Sequence, residues 1–277
     1  EFLNVIDPLT NPEAHGGKSE DAFHVVCPSL PGYGFSGTTQ REQVDTLAMA
    51  EMFAELMARL GYDKYIAQGG DWGAIITSNL AIVDADHLYG IHLNMPFGYA
   101  LTEDPHEGLS PQEIDDVNAM SSFEAMETGY QKIQGTKPQT LGVGLNDSPA
   151  GLCAWITEKF YTWMDCDGDI ESVLDKDELL TNISVYWFTQ SICSSTRLYY
   201  EVTQNARLKF LEQPVTVPLG VARYPKEVMR FPRQWCENVY TQIVHWQDFD
   251  RGGHFAAMER PAEFLAEIRK FRALVCD

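Results

Sequence analysis

Gly69-Gly70-Asp71-Trp72-Gly73 is the stretch whose reading decides the fold of this chain. It follows a strand-like apolar run, Tyr65-Ile66-Ala67, and precedes a helix-like run over residues 74–82. A residue with a glycine two positions away on either side, at a strand-to-helix turn, has the layout of a nucleophile elbow. The turn is tight enough to call for glycines, and its central side chain is held above the sheet edge at a helix N-terminus, where negative charge is favoured. That central residue is Asp71, where a serine is usual. A carboxylate nucleophile makes an ester by attacking an sp³ carbon, so the residue type points to alkyl transfer rather than acyl transfer. The competing reading is an ordinary Asp N-cap on a helix that follows a strand. The context of the pentapeptide decides between them.

At 277 residues, with 44% hydrophobic and 12% aromatic content, the chain has room for one large domain or a core with a sizeable insertion. Twenty basic against 40 acidic residues leave a net charge of −20. Such a surface repels phosphate backbones and anionic lipid, which argues against nucleic-acid partners and peripheral membrane binding. Six cysteines (Cys27, Cys153, Cys166, Cys193, Cys236, Cys276) show no CxxC pair and no metal-like spacing with histidine. They read as reduced, mostly buried thiols of a cytoplasmic protein, with no metal expected. No stretch approaches the roughly 18 apolar residues of a membrane span, and none at the start reads as a signal peptide. The acidic run from Asp165 to Glu171 has a D-x-D-x-D spacing. Its sixth position is Ile170 and its twelfth Lys176, where a calcium loop needs glycine and glutamate. It reads as a solvated loop.

Three regions follow one another. Residues 23–27 read as a buried strand, 46–60 as an amphipathic helix, 65–67 as the strand before the elbow and 89–93 as the next strand. Strand and helix alternating at this rhythm mean parallel strands with crossover helices. Residues 99–205 lose that rhythm and become helical, polar and aromatic-rich. Strands resume over 215–222 and 242–246, and a closing helix over 262–274 is introduced by Pro261. The expected fold is α/β: a mostly parallel core in residues 1–98 and 206–277, interrupted by a helical lid in 99–205.

An elbow nucleophile needs a base and an acid to orient it, appearing later in the chain in the order nucleophile, acid, histidine. His254, in Arg251-Gly252-Gly253-His254-Phe255, sits on a glycine-rich loop after the last strand, a placement that none of the other six histidines shares. Glu227 lies just past the strand at 215–222 and is the preferred acid. Asp248 and Asp250 are rivals by proximity, although they would have to fold back along the histidine's own loop.

With these residues in place, the chain resembles the epoxide hydrolases of the α/β-hydrolase fold, and specifically the microsomal type. The runs that match are Pro31-Gly32-Tyr33-Gly34-Phe35-Ser36, the elbow itself, Leu145-Asn146-Asp147-Ser148-Pro149, Phe231-Pro232 and Gly252-Gly253-His254-Phe255-Ala256-Ala257. Together they span essentially the whole chain. The resemblance implies that Asp71 is the nucleophile, His254 the base that activates water, and Glu227 the acid that orients it. It also implies two lid tyrosines as electrophiles. Tyr130 matches one and Tyr199 the other, with neighbouring Tyr200 as the alternative. The Trp72 backbone N–H would bind the oxyanion. The implied reaction opens an epoxide to a vicinal diol through an Asp ester, with a small apolar epoxide and water as partners and no cofactor. Lid aromatics Trp155, Phe160, Trp163, Trp187 and Phe188 suggest a roomy apolar pocket.

One departure stands out. The family's second oxyanion donor comes from a His-Gly-x-Pro loop, whereas His15-Gly16-Gly17-Lys18 lacks the proline and lies too close to Pro31 to be its equivalent. The chain is therefore expected to be a fragment, with a complementary N-terminal segment and a second copy in a homodimer as further candidate partners. Full-length members of the microsomal type can carry an N-terminal membrane anchor. The alternative functions are a haloalkane or haloacid dehalogenase using the same Asp, which needs halide-binding donors rather than two phenols, and an inactive hydrolase-fold fragment.

Overall fold

The computed structural model describes residues 1–276. Three helices, α1 (Leu3–Thr10), α2 (Thr46–Arg59) and α3 (Trp72–Val83), occupy the first part of the chain. Four strands, β1 (Tyr65–Gly69), β2 (Leu88–Leu93), β3 (Leu219–Arg223) and β4 (Ile243–Asp248), form one sheet in chain order. All three pairings are parallel. Parallel neighbours require a crossover. Helix α3 makes the first, and the second runs through α4 (Pro111–Glu127), α5 (Gly129–Thr136), α6 (Pro138–Asp147), α7 (Pro149–Trp163), α8 (Lys176–Thr189), α9 (Ile192–Asn205) and the short α10 (Lys209–Glu212). A short α11 (Arg233–Cys236) joins β3 to β4, and α12 (Ala256–Glu259) and α13 (Pro261–Val275) close the chain.

Local chemistry sets several helix starts. Asp45 caps α2 by accepting from the Ala48 N–H, Ser110 and Glu113 form a capping box on α4, and Ser148 caps α7. The main core lies between the sheet and α2 and α3, with Leu80, Ile91, Leu93, Leu219 and Val221 at its centre. On the other face α13 seats Phe271, fully buried, over two glycines. A Cβ on Gly90 would lie 2.8 Å from Phe271 Cζ, and one on Gly220 would lie 2.5 Å from its Cδ2. The insert has its own core around Leu145, Leu152, Phe160, Leu174 and Ile183, into which Phe255 and Met258 also pack.

Several expectations are corrected. Residues 23–27 form no strand: the Phe23 N–H donates to Leu9 O of α1, so this amide is spent on a helix end rather than on a ladder. Strand β3 begins only at Leu219, because Pro218 has no N–H to give; Val215 makes an isolated bridge to Tyr240. Only Cys166 and Cys236 are buried among the six cysteines, and Cys27 is exposed. Asp165 is buried rather than solvated, because Arg251 and the Gly252 N–H converge on its carboxylate. Among the described residues no helix is long and apolar enough to cross a membrane.

The elbow shows which glycine matters. Asp71 adopts φ 50°, ψ −129°, a positive φ that a non-glycine residue holds only when its surroundings enforce it. A Cβ on Gly69 would sit 2.1 Å from the Gly73 carbonyl oxygen and 2.7 Å from Thr77 Oγ1. At Gly73 the same Cβ would meet nothing within 4 Å. The clash expected of both glycines is therefore confined to the first, and the second is a glycine inside a helix. Gly69→Ala should cost about 3 kcal/mol, the upper part of the range for overpacking. Gly73→Ala should be neutral or stabilising by up to about 1 kcal/mol. Denaturant titration of both variants checks the contrast, and equal losses would refute it.

Behind the site, His92 of β2 and His245 of β4 flank Gly220 in register. His245 pairs with Glu267 of α13, whereas His92 is fully buried with neither ring nitrogen partnered. Burial, reinforced by His245, pushes the His92 pKa down to about 3. The unfolded chain takes up this proton near pH 6.5 and the folded chain refuses it, so this residue's contribution to stability falls as pH drops from 6.5 towards 3. Between pH 6.5 and 5 the loss should be about 2 kcal/mol, at about 1.4 kcal/mol per pH unit. His92→Asn should flatten that dependence in urea titrations at the two pH values.

Candidate active site

The candidate residues sit at the C-terminal ends of three parallel strands, where open α/β sheets place their ligand sites. Asp71 follows β1, Glu227 follows β3 and His254 follows β4. Asp71 Oδ1 accepts from the Trp72 N–H, the amide expected to serve an oxyanion. Oδ2 lies 2.9 Å from His254 Nε2. On its other side, the His254 Nδ1 is 2.6 Å from Glu227 Oε1, which also accepts from the Val228 N–H at 2.7 Å. The structure thus brings the three predicted residues into one hydrogen-bonded row. Asp248 and Asp250 stay out of it. Asp248 pairs with Arg223 at the end of the sheet, and Asp250 is exposed.

The row is unevenly buried. The imidazole is 4% exposed and the Glu227 side chain 1%, while the Asp71 side chain is 41% exposed and open to a reactant. Burial alone would drive the proton off His254. The Glu227 charge and the hydrogen bonds to Asp71 and Glu227 outweigh it and hold the pKa well above the usual histidine value. The resting ring is an imidazolium between two carboxylates.

The loop that carries His254 is clamped by main-chain bonds. The His254 N–H donates to Trp163 O at 3.0 Å. Glu259 accepts from the Phe255 N–H at 2.8 Å and from the Asp165 N–H at 2.7 Å. Asp165 accepts from the Gly252 N–H at 2.9 Å and from Arg251 Nε at 2.5 Å. Apart from the local Phe255–Glu259 bond, each of these joins segments about ninety residues apart, and no local sequence pattern encodes such a pair.

The insert lowers two phenols over the carboxylate. The Tyr199 ring meets the Trp72 ring edge-on at 4.9 Å, and the Tyr130 ring at 5.7 Å. Tyr200 is 40% exposed, unlike its neighbour. Burial, and after it the Asp71 charge, raises both the Tyr130 and Tyr199 pKa values, so both phenols remain protonated donors. Tyr33, from the turn at Pro31-Gly32, belongs to the same group. Burial raises it too, with Tyr186, Asp71 and Tyr130 adding to the effect. Of the lid aromatics only Trp163 shows a ring contact with these residues, 5.0 Å from His254 and 5.5 Å from Tyr130. Phe160 and Trp187 pack in the insert's core, Trp155 bonds Gln134, and Phe188 is exposed. Among the described residues no group of three or more His, Cys, Asp or Glu side chains is arranged to hold a metal ion.

Comparison with known proteins identifies the fold and the family. A family profile described as the α/β hydrolase fold matches residues 15–140. The chain is 47% identical over 275 residues to a protein of Stigmatella aurantiaca provisionally assigned as an epoxide hydrolase, covering 99% of this chain and 62% of that one. It is 39% identical over 302 residues to epoxide hydrolase 1 of Oryctolagus cuniculus, covering 99% and 65%. It therefore spans less than two thirds of the length of these relatives. The crystal structure of juvenile hormone epoxide hydrolase from the silkworm Bombyx mori superposes with a TM-score of 0.88 at 36% identity, covering 99% of this chain and 69% of that one. The chain belongs to the epoxide hydrolases of the α/β-hydrolase fold.

Proposed function

We propose that this chain hydrolyses an epoxide to a vicinal diol through a covalent ester on Asp71. The observation that carries the reading is the single imidazole of His254 bonded at once to Asp71 and Glu227, beneath two phenols that remain protonated. With Oδ1 engaged by the Trp72 amide, Oδ2 is the oxygen that attacks the epoxide carbon. Tyr130 and Tyr199 hydrogen-bond the epoxide oxygen, and one of them gives up its proton as the C–O bond breaks.

The protons then balance. Ester formation cancels the negative charge on Asp71 and with it two of the effects that keep His254 protonated. The imidazolium proton returns to the phenolate, which leaves His254 neutral, buried and oriented by Glu227. It can now take a proton from water as the water attacks Asp71 Cγ. The developing oxyanion is Oδ1, already facing the Trp72 N–H. Collapse of this intermediate releases the diol and restores the carboxylate beside an imidazolium, as at the start. No cofactor enters the sequence of steps.

The decisive experiment is a single turnover of an aryl or alkyl epoxide followed by peptide mass spectrometry. A substrate-sized adduct should appear on the Asp71 peptide and accumulate in His254→Gln, which can form the ester but not cleave it. Turnover without any adduct, or release of halide from a haloalkane in place of epoxide opening, would sink the proposal. Tyr130→Phe and Tyr199→Phe should each slow ester formation by about 10²-fold, the lower end for general acid catalysis. Tyr200→Phe should stay within about twofold, since this residue is exposed. Rapid-quench rates of adduct formation separate the three.

A further inference from the structure

The insert contributes a buried charge whose two ion-pair partners flank the acid's loop. Asp116, on α4, has a side chain 0% exposed. Its Oδ2 accepts from Arg223 Nη2 at 2.5 Å, and its Oδ1 from Arg230 Nη2 at 2.6 Å and Gln112 Nε2 at 3.1 Å. Arg223 is the last residue of β3, and Arg230 closes the loop that follows. Glu227 lies between them. One carboxylate from the insert therefore fastens both ends of the loop that presents the acid to His254.

Glu227 depends on that loop more than an ordinary buried carboxylate would. Its Oε1 is shared by His254 Nδ1 and the Val228 N–H, while its Oε2 is buried with no partner. Among the described residues, His254 is the one side chain bonded to Glu227. Main-chain bonds add to this: the Glu227 N–H donates to Tyr224 O at 3.1 Å, and the Lys226 N–H donates to Gly252 O at 3.0 Å, which aligns the acid's loop with the histidine's. Two guanidinium groups stand close in sequence to the unpartnered Oε2: Arg223 also has Asp248 at 3.4 Å, and Arg230 pairs with Asp116.

We propose that Asp116 is a positioning residue for Glu227: it ties down both ends of the 224–229 loop and keeps Arg223 and Arg230 from competing with His254 for the acid. The proposal rests on the epoxide-opening reading only for its kinetic readout. Asp71 and the two phenols form the ester, whereas Glu227 and His254 are needed for its hydrolysis. Loss of Asp116 should therefore act on the second step alone.

The test is Asp116→Asn, followed by rapid quench with an aryl epoxide and by proton NMR of the resting protein. Ester formation should stay within about twofold of the parent. Ester hydrolysis should slow at least tenfold, with its acid limb shifted to lower pH, because a Glu227 drawn towards arginine supports less positive charge on His254. The low-field signal of the His254 Nδ1–H bonded to Glu227 should be lost. Should Asp116→Asn not fold, Arg230→Met removes one tether at the better-exposed end of the loop, and a slowing of hydrolysis by at least threefold is expected. A purely structural role would lower the melting temperature and leave the ratio of the two steps unchanged. Equal slowing of both steps, or an unchanged low-field signal, overturns the proposal. If the parent forms no ester with any epoxide, the functional reading fails, and the NMR signal alone then decides whether Asp116 positions Glu227.

Discussion

The arrangement turns on one constraint: a positively charged imidazole is kept almost completely out of water between two carboxylates. An isolated buried cation is costly, and histidine normally answers burial by losing its proton. Here the partners on either side reverse that outcome. They can do so only if three separate loops, one from each of three strand ends, meet within hydrogen-bonding distance. The parallel sheet makes this feasible, because all its strands deliver their loops to the same edge. The remaining features of the fold serve to hold those loops still. The Asp71 backbone sits in a positive-φ conformation because Gly69 lets the Gly73 carbonyl approach, and the histidine's loop is hung from Trp163, Asp165 and Glu259.

Much of this was legible in the sequence, for an identifiable reason. The elbow, the Gly-Gly-His loop and the acid after a strand are local patterns: each needs only a glycine spacing and a neighbouring strand to be recognised. The helix over 46–60 is likewise legible from its apolar spacing, and Asp45 caps it at Thr46. What stayed hidden was long-range. Residues 23–27 have the composition of a strand, but a strand exists only where a partner accepts its ladder, and Phe23 donates elsewhere. The acidic run at Asp165 looks solvated in sequence because its partner, Arg251, lies 86 residues away. The lid aromatics show the same limit. Composition marks a tryptophan as buried without saying against what, so Trp163 beside His254 and Trp187 in the insert's core look alike in sequence.

The insert is not a detachable cover. It supplies both phenols, the carbonyl that accepts from the His254 amide, and the aromatic face against the imidazole. Its hydrophobic core also takes in Phe255 and Met258, which belong to the histidine's loop and the short helix after it. Packing of the insert and placement of the base are thus parts of one structure, and disturbance on either side reaches the other through a few side chains.

The buried charges add directionality that apolar packing lacks. A greasy interface tolerates sliding, since one apolar neighbour substitutes for another at little cost. A carboxylate with no exposure, such as Asp116, does not. If the insert docked one helical turn out of register, Asp116 would leave Arg223 and Arg230 behind, and a buried charge deprived of its partner costs about 3–5 kcal/mol. A well-formed buried ion pair adds little net stability over an apolar pair of the same shape. Its effect is to raise the energy of the wrong arrangements. In this chain that discrimination falls on the segment carrying Glu227, whose Oε1 must meet His254 Nδ1, a contact of 2.6 Å that could not survive a shift of even one ångström.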